Sequence, residues 1–540
     1  MSVNPAMADL ATDAARATSQ QHSMSLLQGL RTYPHAVMWS VVLSAAIVMD
    51  GFDKVLINNL YAYPPFQREF GVQQPDGSYE LTATWQSALS NGALVGEIIG
   101  LMINGLAIDK FGYRRTMAAS LVAVALLIFI PFFANNIETL LAGQILMGIT
   151  WGVFQTITTA YAADVCPVSL RAYLTTYVNM CWVIGQFIAS GVLKGVGSRD
   201  DKWGYKIPFA LQWVWPVPII IGVVLAPESP WWLVRKDRIN DAKRSQLRLI
   251  SKSHGQNSGA DDVIAMIQHT DALEKAVSAG TAYWDCLKKT DLRRTIIVCC
   301  TWTVQILCGS TFMGYSTYFY TKAGLDTSHA FSMSLGQYAL GIIGTMFSWV
   351  LMGHFGRRTL YLAGEGIMCI LLLVIGLAAI AEASDSAKWA IGTMLLLYTF
   401  VYDATVGPVC YALVSELPST RLRAKSIVLA RNCYNIAGII TNIITPRMLN
   451  TSAWDWGAKS GFFWAGLCGL CFVWSYFYLP EPKGRTFGEL DVLFEHKISA
   501  RKFKMTPVDP FMSDLARRQS LATPTSNESR IVQTEEFGKV

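Results

Sequence analysis

The chain predicts an all-α membrane protein: twelve transmembrane helices in two pseudo-symmetric six-helix bundles. Three observations predict it. Apolar residues make up 52% of the 540 positions and charged residues only 15%, against about 25% charge in an average soluble chain. The apolar residues gather into runs long enough to span a bilayer, which takes about 20 mostly apolar residues; the clearest are 116–134, 295–320, 359–381 and 460–479. Finally, one short basic motif occurs twice. Gly105-Leu106-Ala107-Ile108-Asp109-Lys110-Phe111-Gly112-Tyr113-Arg114-Arg115 closes one apolar pair, and Gly353-His354-Phe355-Gly356-Arg357-Arg358 closes another. A turn repeated at the same place in two halves marks an internal duplication, and duplicated membrane halves are how many secondary transporters are built.

The elements follow in order. Residues 1–35 are polar with no apolar h-region, so no cleavable signal peptide is expected and the first span serves for insertion. The N-terminal bundle, 36–226, has expected spans at about 37–60, 85–107, 116–134, 138–162, 172–196 and 207–226. The C-terminal bundle, 295–480, has them at about 295–320, 331–353, 359–381, 389–413, 425–448 and 460–479. Between the bundles, 227–294 reads as a loop rich in Lys and Arg, among them Arg235, Lys236, Lys243, Arg244, Lys288, Lys289, Arg293 and Arg294. Basic turns and loops resist translocation, so this loop, both repeated turns and both termini are expected in the cytoplasm. Segment 61–84 then falls outside; its Tyr63-Pro64-Pro65 and Pro75-Asp76-Gly77-Ser78 are loop chemistry. So does Asn450-Thr451-Ser452, a glycosylation-type sequon. The tail 481–540 is cytoplasmic, and from residue 500 it is polar, Ser/Thr-rich and read as disordered.

Composition also excludes classes of function. The net charge of +6 is modest, and acids such as Asp237, Asp241, Asp261, Asp262 and Glu274 interrupt the basic loop without aromatic interleaving. That is not a nucleic-acid surface. The eleven cysteines are scattered, mostly in apolar stretches, without metal-site spacing, and read as small buried hydrophobes. No metal cluster, phosphate loop or nucleophile elbow is visible. Neither an enzyme nor a cofactor is expected, and the lipid bilayer is the expected surrounding.

Ionisable residues at mid-membrane cost about 2.5–3.5 kcal/mol on insertion scales, so each needs a reason. The first span carries Asp50, Asp53, Lys54 and Asn58, a stripe expected to line a cavity. Lys54 is a natural partner for Asp50, which leaves Asp53 as the better proton carrier. Glu97 lies among Gly92, Gly96 and Gly100, whose spacing permits close backbone approach and is expected to set Glu97 against the acids of the first span. Asp403 precedes Gly407-Pro408, and Arg431 needs a carboxylate, carbonyls or water. The proton-coupling candidates are Asp53, Asp50, Glu97 and Arg431. Asn179 and Gln186 share a face of the fifth span; Gln305, Thr311 and Tyr315 stand on the seventh, Tyr411 on the tenth, Tyr434 and Asn435 on the eleventh. Amides donate and accept as sugar hydroxyls do, and aromatic rings suit the apolar face of a pyranose. Together they point to a neutral polyhydroxylated small molecule.

A second echo reinforces the duplication. Ala163-Asp164-Val165-Cys166-Pro167-Val168-Ser169-Leu170-Arg171 follows the fourth span and Ser415-Glu416-Leu417-Pro418-Ser419-Thr420-Arg421-Leu422-Arg423 the tenth. Asp109, Arg114, Asp164, Arg171, Arg357, Glu416 and Arg423, with Glu228 and Glu481 just past the sixth and twelfth spans, are expected to form a charge network. It would hold the two bundles together on one side and break when they rock apart.

Pro227-Glu228-Ser229-Pro230-Trp231-Trp232-Leu233 and Pro480-Glu481-Pro482-Lys483-Gly484-Arg485-Thr486-Phe487 are long and specific signatures. With the repeated turns, they make the chain resemble the sugar porters of the major facilitator superfamily. Gly51-Phe52-Asp53, Leu60-Tyr61-Ala62-Tyr63-Pro64 and Trp151-Gly152-Val153-Phe154-Gln155 look closer still to fungal maltose (α-glucoside) permeases. The resemblance implies a carrier with a central site between its halves, importing a sugar such as maltose by proton symport, in the plasma membrane. Asp53 matches the acid that coupled sugar porters protonate; Asp50 and Glu97 match acids of the α-glucoside permeases. Gln144 stands where other coupled members have an Arg, which makes Arg431 or Glu97 the substitute. Thr311, Asn179, Tyr411, Tyr434-Asn435, Lys54 and Gly353 are further departures from the pattern. A facilitative uniporter and a non-transporting sugar sensor remain the alternatives; retained Asp53 counts against the first, and the short tail against the second.

Overall fold

The computed structural model describes residues 5–61, 63–73, 79–197, 199–251, 257–277, 282–316, 320, 327–381, 385–449, 454 and 456–508. Pro75-Asp76-Gly77-Ser78, Asn450 and the tail beyond 508 lie outside them. Among the described residues, eleven helices are long and apolar enough to cross a membrane: Thr84–Phe111, Tyr113–Phe133, Ile137–Val165, Val168–Val196, Trp203–Leu225, Thr290–Gly314, Ser332–His354, Arg357–Ala378, Ser386–Glu416, Arg423–Leu449 and Gly457–Tyr478. They are the second to twelfth spans. The first is built of two consecutive pieces, Pro34–Ser44 and Ala46–Leu60, joined through Ala45 at φ −59° and ψ −19°, still helical geometry. The chain is therefore a multi-pass integral membrane protein. Among the described residues the only strands are the pair Val72–Gln73 and Tyr79–Glu80.

Amphipathicity runs inside-out here, as a lipid solvent demands. Val122, Leu126 and Phe133 of the third span, Val217 and Ile221 of the sixth, Ile370 and Leu377 of the ninth and Leu470 and Val473 of the twelfth are exposed. So much bare apolar surface is untenable in water and natural against acyl chains. The polar residues of the other spans turn inward. In the first half the second span packs on the fourth and the first on the fifth; in the second half the eighth packs on the tenth, the ninth on the twelfth and the seventh on the eleventh. The second span also meets the eleventh, and the fifth meets the eighth and tenth, across the halves.

Glycines set the closest approaches. A Cβ at Gly96 would meet the carbonyl of Ile145, and one at Gly100 that of Ile149. Gly148 and Gly152 reciprocate from the fourth span against Ala93 and Glu97. The Gly92-Gly96-Gly100 row therefore seats the second span on the fourth, while Glu97 of the same span still reaches the charged residues of the first through Lys54. Approach of the first span to the fifth is allowed instead by Gly51 and Gly185.

Two segments read as tail and loop contain helices. Pro5–Ser23 and Leu26–Thr32 precede the first span. Pro230–Arg235, Ile239–Leu249 and Asn257–Val277 occupy the central segment. Pro5–Ser23 packs against Asn257–Val277, with Arg16 Nη1 3.1 Å from Asp262 Oδ1.

Candidate functional site

Broken helices build the centre. The seventh span runs as an α-helix over Lys289–Gln305, widens to a π turn over Ile306–Ser310 with Gly309 at φ 100°, and resumes at Thr311. The left-handed φ explains a glycine at that position. The tenth span breaks at Thr405 (φ −132°, ψ −86°), between Asp385–Ala404 and Val406–Glu416. Pro408 just after the break supplies no N–H. Gln305 Nε2 donates to the Gly407 carbonyl oxygen at 2.8 Å, satisfying backbone beside the break.

These breaks border a cavity between the halves with about 1130 Å³ of space free of atoms, part of it open to the exterior. Of the predicted binding residues, Asn179, Gln186, Gln305, Thr311, Tyr315, Tyr411 and Tyr434 line it. Asn435 does not; it is fully buried beside the cavity, with neither amide atom hydrogen-bonded. Trp182, Gln337, Tyr338 and Asp403 join the lining.

The acids of the first span part company. Lys54 lines the cavity, with Nζ 2.6 Å from Glu97 Oε1 and 3.6 Å from Asp50 Oδ1, 4.6 Å from the Trp182 ring centre. Asp50 Oδ2 accepts from Gln155 Nε2 at 2.7 Å, and Gln155 Oε1 accepts from Arg431 Nε at 2.8 Å. Arg431 lies against the Tyr434 ring at 4.0 Å. Two acids and two bases thus form one connected cluster, with Glu97 reaching Asp50 through Lys54. Asp53 stands apart. It is fully buried, does not line the cavity, and accepts from Gln212 Nε2 of the sixth span at 2.6 Å, with the Gln144 amide beside it. Among the described residues no Lys or Arg pairs with it. The stripe expected to line the cavity is therefore split: Lys54 and Asn58 face it, Asp50 lies beneath, and Asp53 faces away. Gln155 and Gln212 are the two amides that organise these acids; the sequence marks Gln155 only as the end of the Trp151–Gln155 motif and Gln212 only as polar in an apolar run.

At the basic end of the bundle the two signatures do the same job in each half. Glu228 accepts from the backbone N–H groups of Tyr113 (3.0 Å) and Arg114 (3.2 Å), the first turn of the third span. Glu481 accepts from those of Arg357 (2.9 Å) and Arg358 (3.1 Å), the first turn of the ninth. Each carboxylate caps a positive helix end. A Cβ at Gly112 or Gly356 would collide with the capping carboxylate, so both repeated turns need glycine there. Burial pushes the Glu228 carboxyl above its ordinary range, against the pull of the Ser229, Arg114 and Tyr113 N–H groups.

The Asp164–Arg423 and Asp109–Lys425 ion pairs cross between the halves. Asp164 Oδ2 also accepts from Ser229 Oγ at 2.7 Å. Arg357 Nη2 lies 3.5 Å from Glu416 Oε1 within the second half, and Arg171 is within Coulombic range of Glu416. Arg171 and Arg423 both sit on the Phe487 ring, at 3.7 and 3.9 Å. Arg114 joins through its backbone. The predicted residues are thus brought together at this end; the parts of Lys425 and Phe487 in the network were not foreseen.

A family model described as "Sugar (and other) transporter" matches residues 39–494. The general alpha-glucoside permease of Saccharomyces cerevisiae is 42% identical over 531 residues, covering 97% of this chain and 86% of that protein. A maltose permease of the same yeast is 42% identical over 507 residues, covering 92% and 82%. Among solved structures, the proton:xylose symporter XylE of the major facilitator superfamily, bound to 6-bromo-6-deoxy-D-glucose, superposes with a TM-score of 0.74 at 20% identity, covering 86% of this chain and 99% of that one. The family model and these relatives agree: the chain belongs to the sugar (and other) transporter family, and its fold is that of the major facilitator symporter.

Proposed function

We propose that the protein imports an α-glucoside such as maltose by proton symport with alternating access, in the plasma membrane, with the basic end and both termini in the cytoplasm. Relatedness to α-glucoside and maltose permeases along nearly the whole chain supports the substrate class. The observation that carries the coupling is Asp53. It is a buried carboxyl held by neutral amides and, among the described residues, in no ion pair, so no paired cation fixes its charge as the carrier cycles. Asp50, Glu97 and Arg431 serve coupling indirectly, by setting the field in which Asp53 and the sugar are bound. The basic turns and the network around Asp164 and Arg423 form the cytoplasmic gate.

Facilitative uniport is the competing reading, and Lys54 is what favours it. Its ammonium and the Arg431 guanidinium together balance the charges of Asp50 and Glu97 without any proton. Asp53 stands outside that pairing, which is why symport is preferred. Adding maltose to a weakly buffered suspension of cells expressing the chain tests the choice. Symport predicts sugar-evoked alkalinisation of the medium; sugar entry with no pH change would establish uniport.

A further inference from the structure

A smaller cavity lies at the basic end, with about 400 Å³ of space free of atoms, part of it open to the exterior. Four elements distant in sequence wall it. Thr18 and Gln21 come from helix Pro5–Ser23, His269 and Thr270 from helix Asn257–Val277, Arg171 from the start of the fifth span, and Gly488 from the first turn of helix Phe487–Glu495. Among the described residues no Asp or Glu lines it.

Arg171 is the anomaly there. The residue is 4% exposed, yet its Nε finds no hydrogen-bond partner. Among the described residues it forms no ion pair. The acid that acts on it most strongly, Glu416, lies beyond 4 Å and is engaged by Arg357 at 3.5 Å. What Arg171 touches is the Phe487 ring at 3.7 Å, which attracts the charge without satisfying the N–H donors. A buried guanidinium with unmade bonds is costly. The other nearby acids are engaged elsewhere: Asp262 with Arg16 (3.1 Å), Asp271 with Lys275 (2.6 Å), and Glu489 with the Thr486 backbone N–H (2.7 Å) and hydroxyl (3.0 Å). The N–H groups of Phe487 and Gly488, in the first turn of their helix, have no intrahelical acceptor and carry the positive end of its dipole.

We propose that this cavity binds a phosphate group, as free phosphate or as the monoester of a small metabolite. A tetrahedral oxyanion there takes the unmet N–H donors of Arg171 and faces the helix end, and it supplies the counter-charge that the guanidinium lacks. The Gln21 amide is a further donor at the rim. The hydroxyls of Thr18 and Thr270, bonded to the Ala14 and Met266 carbonyls of their own helices, can turn to it. Bound there, the anion links the first half, through Arg171, to the segment that follows the twelfth span. It therefore resists separation of the halves at the basic end and slows the carrier. The site depends neither on which sugar is carried nor on proton coupling.

Calorimetry on the full chain in detergent tests the site. Inorganic phosphate and, separately, glycerol phosphate are titrated in, with chloride at matched ionic strength and pH as the control. Wild type should bind saturably, and Arg171→Gln and Gln21→Glu should each weaken binding about tenfold or more. Gln21→Glu keeps the side-chain volume, lies outside the spans, and sets a carboxylate against the guanidinium, so its unfolding midpoint without anion should not fall. Binding of the ester as tight as that of free phosphate identifies a monoester as the ligand; exclusion of the ester identifies free phosphate. No saturable binding, or binding that both variants leave unchanged, would overturn the site. In liposomes with phosphate on both faces, wild-type uptake of labelled maltose should fall several-fold while Gln21→Glu does not respond to the anion. Wild-type uptake indifferent to an anion that the same preparation binds would overturn the restraint on the halves.

Discussion

Lys54 is the only cation within 4 Å of either Asp50 or Glu97 among the described residues. Lys54→Met therefore leaves two buried carboxylates unpaired. Breaking a buried pair by removing one partner typically costs about 3–5 kcal/mol. The midpoint of thermal unfolding in detergent should fall sharply, and Lys54→Arg should restore most of it. An unshifted midpoint for Lys54→Met would mean that the pair contributes nothing. At this scale the sequence was partly legible. Asp50, Asp53 and Lys54 were visible as anomalous charges in an apolar run, and so was the pairing of Lys54 with Asp50. What could not be read was the direction of each side chain. Asp53 and Lys54 are adjacent and so lie about 100° apart around the helix axis. That angle sends Lys54 toward the second span and Asp53 toward the sixth, into contact with Gln212. Only the packing of neighbouring helices fixes which of those directions is the cavity.

The capping glutamates belong to the scale of the element. Glu228 holds the first turn of the third span by two backbone bonds. Glu228→Ala should cost about 1–3 kcal/mol through the orphaned amides, seen as a lowered unfolding midpoint, and Glu228→Gln less, because one acceptor oxygen survives. Equal losses for both would point to charge rather than capping. Across the halves, Asp164→Arg or Arg423→Asp alone should abolish sugar uptake while leaving protein at the surface; the double swap should recover a measurable fraction, since the pair is buried and its attraction is symmetric in sign. No recovery in the double swap would show that the surrounding contacts, such as Ser229 on Asp164, matter more than the pair. The spans were legible because twenty-residue apolar runs have few alternatives. The helices Ile239–Leu249 and Asn257–Val277 were not. They are amphipathic, stabilised by packing on one another and on Pro5–Ser23, and a charge count sees only their polar faces. The glycine row of the second span announced close packing but not with whom; the answer lay in Gly148 and Gly152 of the fourth.

At the scale of the whole molecule, ion pairs join the halves at one end, and the cavity between the halves is partly open. On the proposed mechanism both ends open in turn, and the cross-half pairs are the contacts that opening at the basic end must break. Duplication was readable from the sequence because the repeated turns and signatures are local. The cavity was not, because it is assembled from six or more spans and from helix breaks that a hydropathy pattern passes over. The central claim is that sugar entry is driven by protons through Asp53. Labelled maltose uptake at external pH 5 and pH 7.5, in cells lacking their own sugar carriers, tests it most directly when wild type and Asp53→Asn are compared at matched surface expression. Uptake that is faster at pH 5, collapses with a protonophore, and loses its pH dependence and accumulation in the variant is the predicted result. Uptake indifferent to pH, to the protonophore and to the substitution would contradict the account and leave a facilitator.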